Sequence, residues 1–311
     1  EAVLNPALIL FLSGIIIGIT FKITLPNSIS KYLGYYLLLA LGLKGGLSLQ
    51  ENGFINDVIS ALSLGILFAL LIPAIAYIYL KNILNTDDAA ALSGTYGSVS
   101  AVTFVTAIAY LSTTNQDFDN YMSAVLVVME FPAIFMALYL VTHNKINKGT
   151  NLQTIKTAFL EIPNIILISS LFVGYFVNKT VISNIDIFIV TVFDYILYVF
   201  LFVMGTRVAK RTGELKGKGV NLIAFALLTP LIGSLIALIA SINFDLSVGN
   251  STLLMVLTAS ASYIAVPAVV KDAIPDANPA IYLGLSLGVT FPFNIIFGIP
   301  LYNELAKYFI G

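Results

Sequence analysis

Two clusters of small and hydroxyl-bearing residues interrupt long apolar segments of the chain. The first is LSGTYGSVSAV at 92–102, and the second is LTASASYIAVP at 257–267. A helix that breaks at such a cluster presents free amide N–H groups and the positive end of a helix dipole, which attract an anion with several oxygens. Serines in an apolar segment without a base are poor nucleophiles, so the clusters indicate binding rather than covalent catalysis.

Each cluster taken alone also suits a plain helix crossing. Small residues let two backbones approach, and serine or threonine hydroxyls then bond to carbonyls one turn back. The occurrence of two such clusters, the second with Pro267, favours the binding interpretation. Irregular backbone deep in a membrane is tolerated only where it is buried in protein or lines a wet cavity.

Glu130 is the acidic residue that most needs an explanation. It lies mid-segment in VVMEFPAIF, where a charge costs on the order of 2.5–3.5 kcal/mol on insertion scales. A Na⁺ site is one candidate, built from the Glu130 carboxylate and carbonyls freed by Pro132, with Thr290 as a neutral counterpart in the second half. The alternative is a protonated Glu130 that is hydrogen-bonded to a neighbouring helix.

The composition fixes the kind of scaffold that must hold these residues. Hydrophobic residues make up 59% of the 311 residues, charged residues make up 10%, and the mean hydropathy is +0.96. A soluble chain of this length does not need so much apolar surface, so we predict an all-α polytopic membrane protein. The chain has no cysteine and one histidine, it carries no HExxH or GxSxG motif, and its net charge of −1 offers nothing for nucleic acid. An enzyme is therefore the least favoured class.

Ten apolar segments are long enough to cross a membrane. They lie at about 7–21, 33–49, 58–80, 89–112, 120–142, 162–178, 186–206, 220–241, 250–270 and 279–306, and the last two could be broken or strongly tilted. The distribution of Lys and Arg over the connections supports this count, because twelve of the fifteen fall on one side. These are Lys22, Lys31, Lys81, Lys145, Lys148, Lys156, Arg207, Lys210, Arg211, Lys216, Lys218 and Lys271. The positive-inside rule then places both termini outside the cytoplasm.

The chain also repeats itself. FALLIP at 68–73 recurs as FALLTP at 225–230, EFPAIF at 130–135 resembles TFPFNIIF at 290–297, and the two hydroxyl clusters align at an offset of 165 residues. We therefore predict a first repeat at 1–145, a connection at 146–160 and a second repeat at 161–311. Each repeat contains five spans. Because five is an odd number, the second repeat enters the membrane from the opposite side, so the two repeats have inverted topology. The two broken helices then cross at mid-membrane. This architecture is typical of secondary transporters.

Several stretches together resemble the sodium-dependent bicarbonate transporter family, whose first known members are cyanobacterial symporters. These are LGLKGGLSL at 41–49, LSGTYGSVSAVTF at 92–104, VMGTRVAKRTGELK at 203–216 and TASASYIAVPAVVKDAIPDANPAIYLGLSLGVTFPFNIIFGIPLY at 258–302. The resemblance implies a gate part from spans 1, 2, 6 and 7 and a core part from spans 3–5 and 8–10. It also implies a homotrimer in the bacterial inner membrane that takes up an anion together with Na⁺. The anion would lie between the broken helices, at positions that correspond to Ser98, Ser100, Thr103, Ser260 and Ser262.

Two stretches depart from the family pattern. Tyr263 follows the serines of the ninth span where the family carries an acidic residue, and Ser100-Ala101-Val102 replaces a Ser-Gly-Ser run. Both changes would remove polar groups from the pocket, so the substrate stays open between bicarbonate and a small carboxylate. The connection at 143–160 is short, whereas cyanobacterial members of the family have a long cytoplasmic insert at this place. Whether a PII-like regulator is a partner of this chain therefore stays an open question.

The leading prediction is a Na⁺-coupled symporter for a small anion. Two other classes stay open: a cation/proton antiporter in which Glu130 is the exchanging group, and a non-transporting membrane receptor or scaffold that keeps the fold and has lost the pocket.

Overall fold

The computed structural model describes residues 6–23, 25–144, 160–177, 192–211, 219–263, 266–267, 270 and 274–311. The predicted connection at 146–160 lies outside this part of the chain apart from its last residue. Every regular element in these ranges is helical, and eleven helices follow one another. They are α1 (Pro6–Phe21), α2 (Asn27–Asn52), α3 (Asn56–Leu80), α4 (Thr86–Gly97), α5 (Ala101–Thr113), α6 (Met122–Asn144), α7 (Ile162–Phe176), α8 (Val192–Arg211), α9 (Val220–Asn243), α10 (Val248–Ala259) and α11 (Pro279–Ile310).

The helices coincide with the apolar segments predicted from the sequence. Six stretches are long and apolar enough to cross a membrane, namely α2, α3, α4 with α5, α8, α9 and α11. The outer faces of α3 and α9 expose large aliphatic side chains, among them Ile78 and Ile239, which are each about 60% exposed. Such faces suit contact with lipid, and the protein is a multi-pass membrane protein.

Close helix crossings at glycines join α1 to α8 and α2 to α7. A Cβ atom at Gly14 would overlap the backbone carbonyl of Phe202, and one at Gly205 would overlap that of Phe11. Gly174 of α7 abuts the backbone carbonyl of Leu43 in α2 in the same way. Since lipid gives helices no hydrophobic reason to associate, such backbone-to-backbone packing supplies much of the attraction between them.

The remaining helices form two further groups. α3 packs against α4 and α6, while α9 packs against α10 and α11. Pro73 inside α3 fits against Gly97, because a Cβ atom at Gly97 would collide with the proline ring. The small residue at position 97, at the end of α4, is therefore required by the shape of α3 as well as by the helix break that follows α4.

α4 and α10 are two copies of one local structure. Each is 12 residues long and ends at a serine with extended backbone, Ser98 (φ −94°, ψ 162°) or Ser260 (φ −87°, ψ 163°). Each begins after a polar cap, Asn85 or Ser247, whose side chain accepts the N–H three residues on. Their start points, Thr86 and Val248, lie 162 residues apart, so the sequence alignment at 165 is three residues out of register.

α11 is continuous, although we expected that its span could be broken. It widens into π-helix at Ser286–Thr290 and again at Asn294–Gly298. Single-turn π segments inside helices frequently lie at functional sites. Asn294 donates through its side chain to the carbonyl oxygen of Ala259 (2.8 Å) at the end of α10. The widened region of α11 thus supports the second helix break.

Candidate anion and cation site at the helix breaks

The first break separates α4 from α5 by three residues with non-helical backbone, Ser98 to Ser100. Ser100 has extended backbone (φ −108°, ψ 106°) and caps α5, because its hydroxyl oxygen accepts the backbone N–H of Thr103 (3.3 Å). The first N–H groups of α5 have no intrahelical acceptors and carry the positive end of its dipole. The predicted interruption of the fourth span is confirmed, and its α5 side suits an anion.

The second break follows α10 and touches the first directly. The backbone N–H of Ser262 donates to the carbonyl oxygen of Thr95 (2.9 Å), and the backbone N–H of Ser100 donates to the hydroxyl oxygen of Ser260 (2.9 Å). The two predicted hydroxyl clusters therefore meet in space, although they are about 160 residues apart in the chain. Between Tyr263 and the start of α11 at Pro279, the structure describes residues 266, 267, 270 and 274–278.

Glu130 of α6 reaches the first break from the side. Its carboxylate accepts the Ser98 hydroxyl (3.0 Å) and lies close to the backbone N–H of Val99, and the residue is only 6% exposed. This places a carboxyl group beside the last residues of α4, where carbonyl groups and the negative end of the helix dipole also lie. That side of the break suits a cation. Among the described residues no three acidic or histidine side chains cluster, so a cation here would also need hydroxyl and carbonyl oxygens.

A small cavity lies where these groups converge. Its volume is about 40 Å³, and its walls come from the breaks, from α6 and from α2 and α7. A buried water needs roughly 10–15 Å³ of such volume, so the cavity holds about three waters. Ser100, Glu130, Asn164, Ser262 and Tyr263 supply its polar lining. The cavity is therefore closed by two separate helix groups, and each group contributes polar side chains.

The predicted binding residues divide into two sets. Ser100, Ser262 and Glu130 line the cavity. Ser98, Ser260 and Thr103 lie next to it and are all buried, but their hydroxyls hold the breaks together: Ser98 bonds to Glu130, Ser260 accepts the Ser100 N–H, and Thr103 donates to the Ser100 hydroxyl (3.0 Å).

Thr290, the predicted neutral counterpart of Glu130, makes a different set of contacts. Its hydroxyl donates to the carbonyl oxygen of Ala226 (2.7 Å) and is paired with the hydroxyl of Tyr96. The Ala226 carbonyl is available because Pro230, four residues on, has no N–H to donate to it. In this structure Thr290 therefore joins α9, α11 and α4 and does not line the cavity.

Sequence reasoning missed two polar residues of the cavity. Asn164 of α7 is 3% exposed, and Tyr263 follows the second break. Asn164 stands directly after Pro163, and a buried amide in the first turn of an apolar span is a signal that could have identified it. Tyr263 was expected to remove polarity from the pocket. Its side chain lines the cavity, and its hydroxyl oxygen is buried without a hydrogen-bond partner among the described residues.

A larger vestibule of about 450 Å³ adjoins the cavity. The two share Leu38, Ala101, Pro163 and Tyr263, among other residues. The far part of the vestibule is lined by polar and charged residues at helix ends, namely Asn27, Ser30, Lys31, Glu161 and Arg207. Arg207 donates to the side-chain oxygen of Asn27 (2.8 Å). The cavity is thus reached from the side of the molecule that carries these cations.

Comparison with known proteins gives one family. The profile of the Na⁺-dependent bicarbonate transporter superfamily matches residues 6–307, which takes in both helix breaks, the cavity and α11. No curated protein sequence matches the chain. The matched family consists of transporters, so the protein is not an enzyme. With a match over nearly its whole length, the chain belongs to the Na⁺-dependent bicarbonate transporter superfamily.

Proposed function

We propose that the protein is a secondary active transporter that carries a small anion, bicarbonate or a small carboxylate, together with Na⁺. The cavity at the meeting of the two helix breaks carries this proposal. One side of it offers the positive end of α5 and the Ser100 and Ser262 hydroxyls, and the other offers the Glu130 carboxylate beside the negative end of α4. An anion bound at the start of α5 and a cation bound at the end of α4 would attract each other, so each ion would make binding of the other more favourable.

The size of the cavity favours bicarbonate among the candidate anions. A volume that holds about three waters suits a carbon with three oxygens better than an anion with a longer carbon skeleton. The polar lining supplies hydrogen-bond partners on more than one side, from Ser100, Ser262 and Asn164. A larger carboxylate would need the cavity to widen.

The proposed architecture is ten spans in two inverted five-helix repeats. Eleven helices fit ten spans when α4 and α5 are the two halves of one broken span. The matched lengths and caps of α4 and α10 support the repeat, as does the paired packing of α1 with α8 and of α2 with α7. We assign α1, α2, α7 and α8 to the gate part and the other helices to the core part, with the cavity between them.

The proposed orientation puts both termini outside the cytoplasm. In that orientation the vestibule with Lys31 and Arg207 opens to the cytoplasm, and the structure corresponds to an inward-facing state. Transport would then proceed by movement of the core part past the gate part. A homotrimer in the bacterial inner membrane and control by a PII-like regulator are carried over from the family resemblance and remain proposals.

Uptake of labelled bicarbonate into proteoliposomes tests the function. Under an inward Na⁺ gradient we expect accumulation several-fold above that under a K⁺ gradient. Pyruvate should compete weakly because of the cavity volume, whereas acetate has as many non-hydrogen atoms as bicarbonate and tests the polar lining instead. Na⁺-dependent entry of a carboxylate without entry of bicarbonate would mean that the proposed Na⁺ coupling stands and that the substrate is a carboxylate. Flux that depends on pH and needs no anion would instead favour a cation/proton antiporter with Glu130 as the exchanging group. Absence of any flux would favour the receptor or scaffold.

A further inference from the structure

Tyr263 stands at the boundary between the cavity and the vestibule. Its side chain lines both spaces, as do those of Leu38 and Pro163. The ring packs edge-on against Phe291 of α11 (centroids 5.3 Å apart), and Phe291 packs in turn against Phe11 of α1 (5.4 Å). An ion that moves between vestibule and cavity must therefore pass this ring.

The hydroxyl group of Tyr263 is a buried polar group without a hydrogen-bond partner among the described residues. The Ser100 side chain interacts with it, but the two do not reach hydrogen-bonding geometry. A buried polar group left without a partner costs about 1–3 kcal/mol, so natural proteins rarely keep one without a use. A ligand in the cavity would supply the missing partner.

We propose that the Tyr263 hydroxyl donates a hydrogen bond to an oxygen of the bound anion and so fixes its orientation and selectivity. The proposal rests on the proposed function, because it takes the cavity as the anion site. A neutral phenol donates its proton to an anionic oxygen, whereas an ionised carboxylate at this position could only accept hydrogen bonds. Tyr263 therefore places a neutral hydrogen-bond donor at the boundary between the cavity and the vestibule.

Substitution of Tyr263 by phenylalanine removes the hydroxyl and keeps the ring on Phe291. A hydrogen bond to a charged group contributes about 1.5–3 kcal/mol, so we expect Y263F to raise the bicarbonate Kd about ten- to a hundredfold. The Kd of formate, an oxyanion without a hydroxyl, should rise by the same factor. Because the hydroxyl has no partner in the empty protein, the melting temperature without anion should stay the same or rise slightly. Tyr195→Phe is the matched control, since Tyr195 is 68% exposed and lines neither space.

Each outcome of this experiment has a defined meaning. A lower melting temperature of Y263F without anion would reveal a structural partner and overturn the proposal. An unchanged bicarbonate Kd in Y263F, with wild-type protein that binds bicarbonate, would overturn it and leave the proposed function standing. A rise for bicarbonate but not for formate would mean that the Tyr263 oxygen accepts a hydrogen bond from the bicarbonate hydroxyl, which contradicts the donor role. If wild-type protein binds neither anion, the proposed function fails and this inference fails with it.

Discussion

Replacement of Ser262 by leucine is expected to abolish Na⁺-driven bicarbonate uptake, with at least a hundredfold loss of initial rate. The cavity has room for about three waters, and the branched leucine side chain would occupy that volume. The contact that joins the breaks at this point is made by the backbone N–H of Ser262 to Thr95, so it survives the substitution. The Ser262 hydroxyl accepts only the long hydrogen bond from the Val266 N–H (3.4 Å), which an alanine at this position would remove equally. Folding should therefore be preserved, which size-exclusion chromatography and the melting temperature would check alongside uptake.

Two controls isolate the loss of cavity volume. Ser262→Ala removes the hydroxyl and keeps the space, so we expect it to retain measurable uptake with a higher KM. Ser169→Leu makes the same change of side chain on the exposed face of α7, where uptake should equal that of wild-type protein. Wild-type uptake by a folded S262L variant would remove Ser262 from the binding site.

Replacement of Glu130 by glutamine is expected to weaken the binding of Na⁺ that drives anion uptake. The substitution keeps the shape and a hydrogen-bond acceptor for the Ser98 hydroxyl, but it removes the negative charge beside the end of α4. Interactions with a charged group are worth about 1.5–3 kcal/mol, so the Na⁺ concentration for half-maximal uptake should rise about ten- to a hundredfold. The measurement is the Na⁺ dependence of bicarbonate uptake at fixed membrane potential.

Glu304→Gln is the matched control for this change. Glu304 lies near the end of α11, where it forms an exposed pair with Lys307 (3.1 Å), and such pairs contribute little. Its Na⁺ dependence should equal that of wild-type protein. If E130Q kept the wild-type Na⁺ dependence, Na⁺ would bind elsewhere and Glu130 would have a structural role. If E130Q instead lost a pH-driven cation flux that needed no anion, the antiporter would be favoured.

Much of the fold could be predicted because the membrane imposes simple constraints on sequence. Hydrocarbon thickness fixes the length of apolar segments, which is why the predicted spans coincide with the helices. A backbone break within the membrane is tolerated only if it is buried in protein or lines a water-filled cavity. The hydroxyl clusters at 92–102 and 257–267 could therefore be identified as candidate binding sites. The structure then places the first break at Ser98 to Ser100, within the first of these clusters, and shows its contacts with Ser260 and with the residues around Ser262.

The roles of individual side chains depended on contacts that the sequence does not encode locally. Ser98, Ser260 and Thr103 have the same chemistry as Ser100 and Ser262, and all five hydroxyls take part in hydrogen bonds, yet only Ser100 and Ser262 line the cavity.

Two other sites illustrate the same limit. Thr290 bonds to a carbonyl that a proline frees in another helix, α9. The place of the Tyr263 ring depends on its packing against Phe291 of α11. Neither arrangement follows from periodicity or composition, because both are tertiary contacts between distant segments.

The central claim is that an anion and Na⁺ bind together at the helix breaks, and equilibrium binding to the purified wild-type protein tests it most directly. The bicarbonate Kd would be measured at low and at saturating Na⁺, and the Na⁺ Kd at low and at saturating bicarbonate. Coupling between sites is reciprocal and is typically about 5–150-fold, so each ion should lower the Kd of the other by the same factor within that range. A bicarbonate Kd that is identical with and without Na⁺ would contradict a shared site and, with it, the proposed symport.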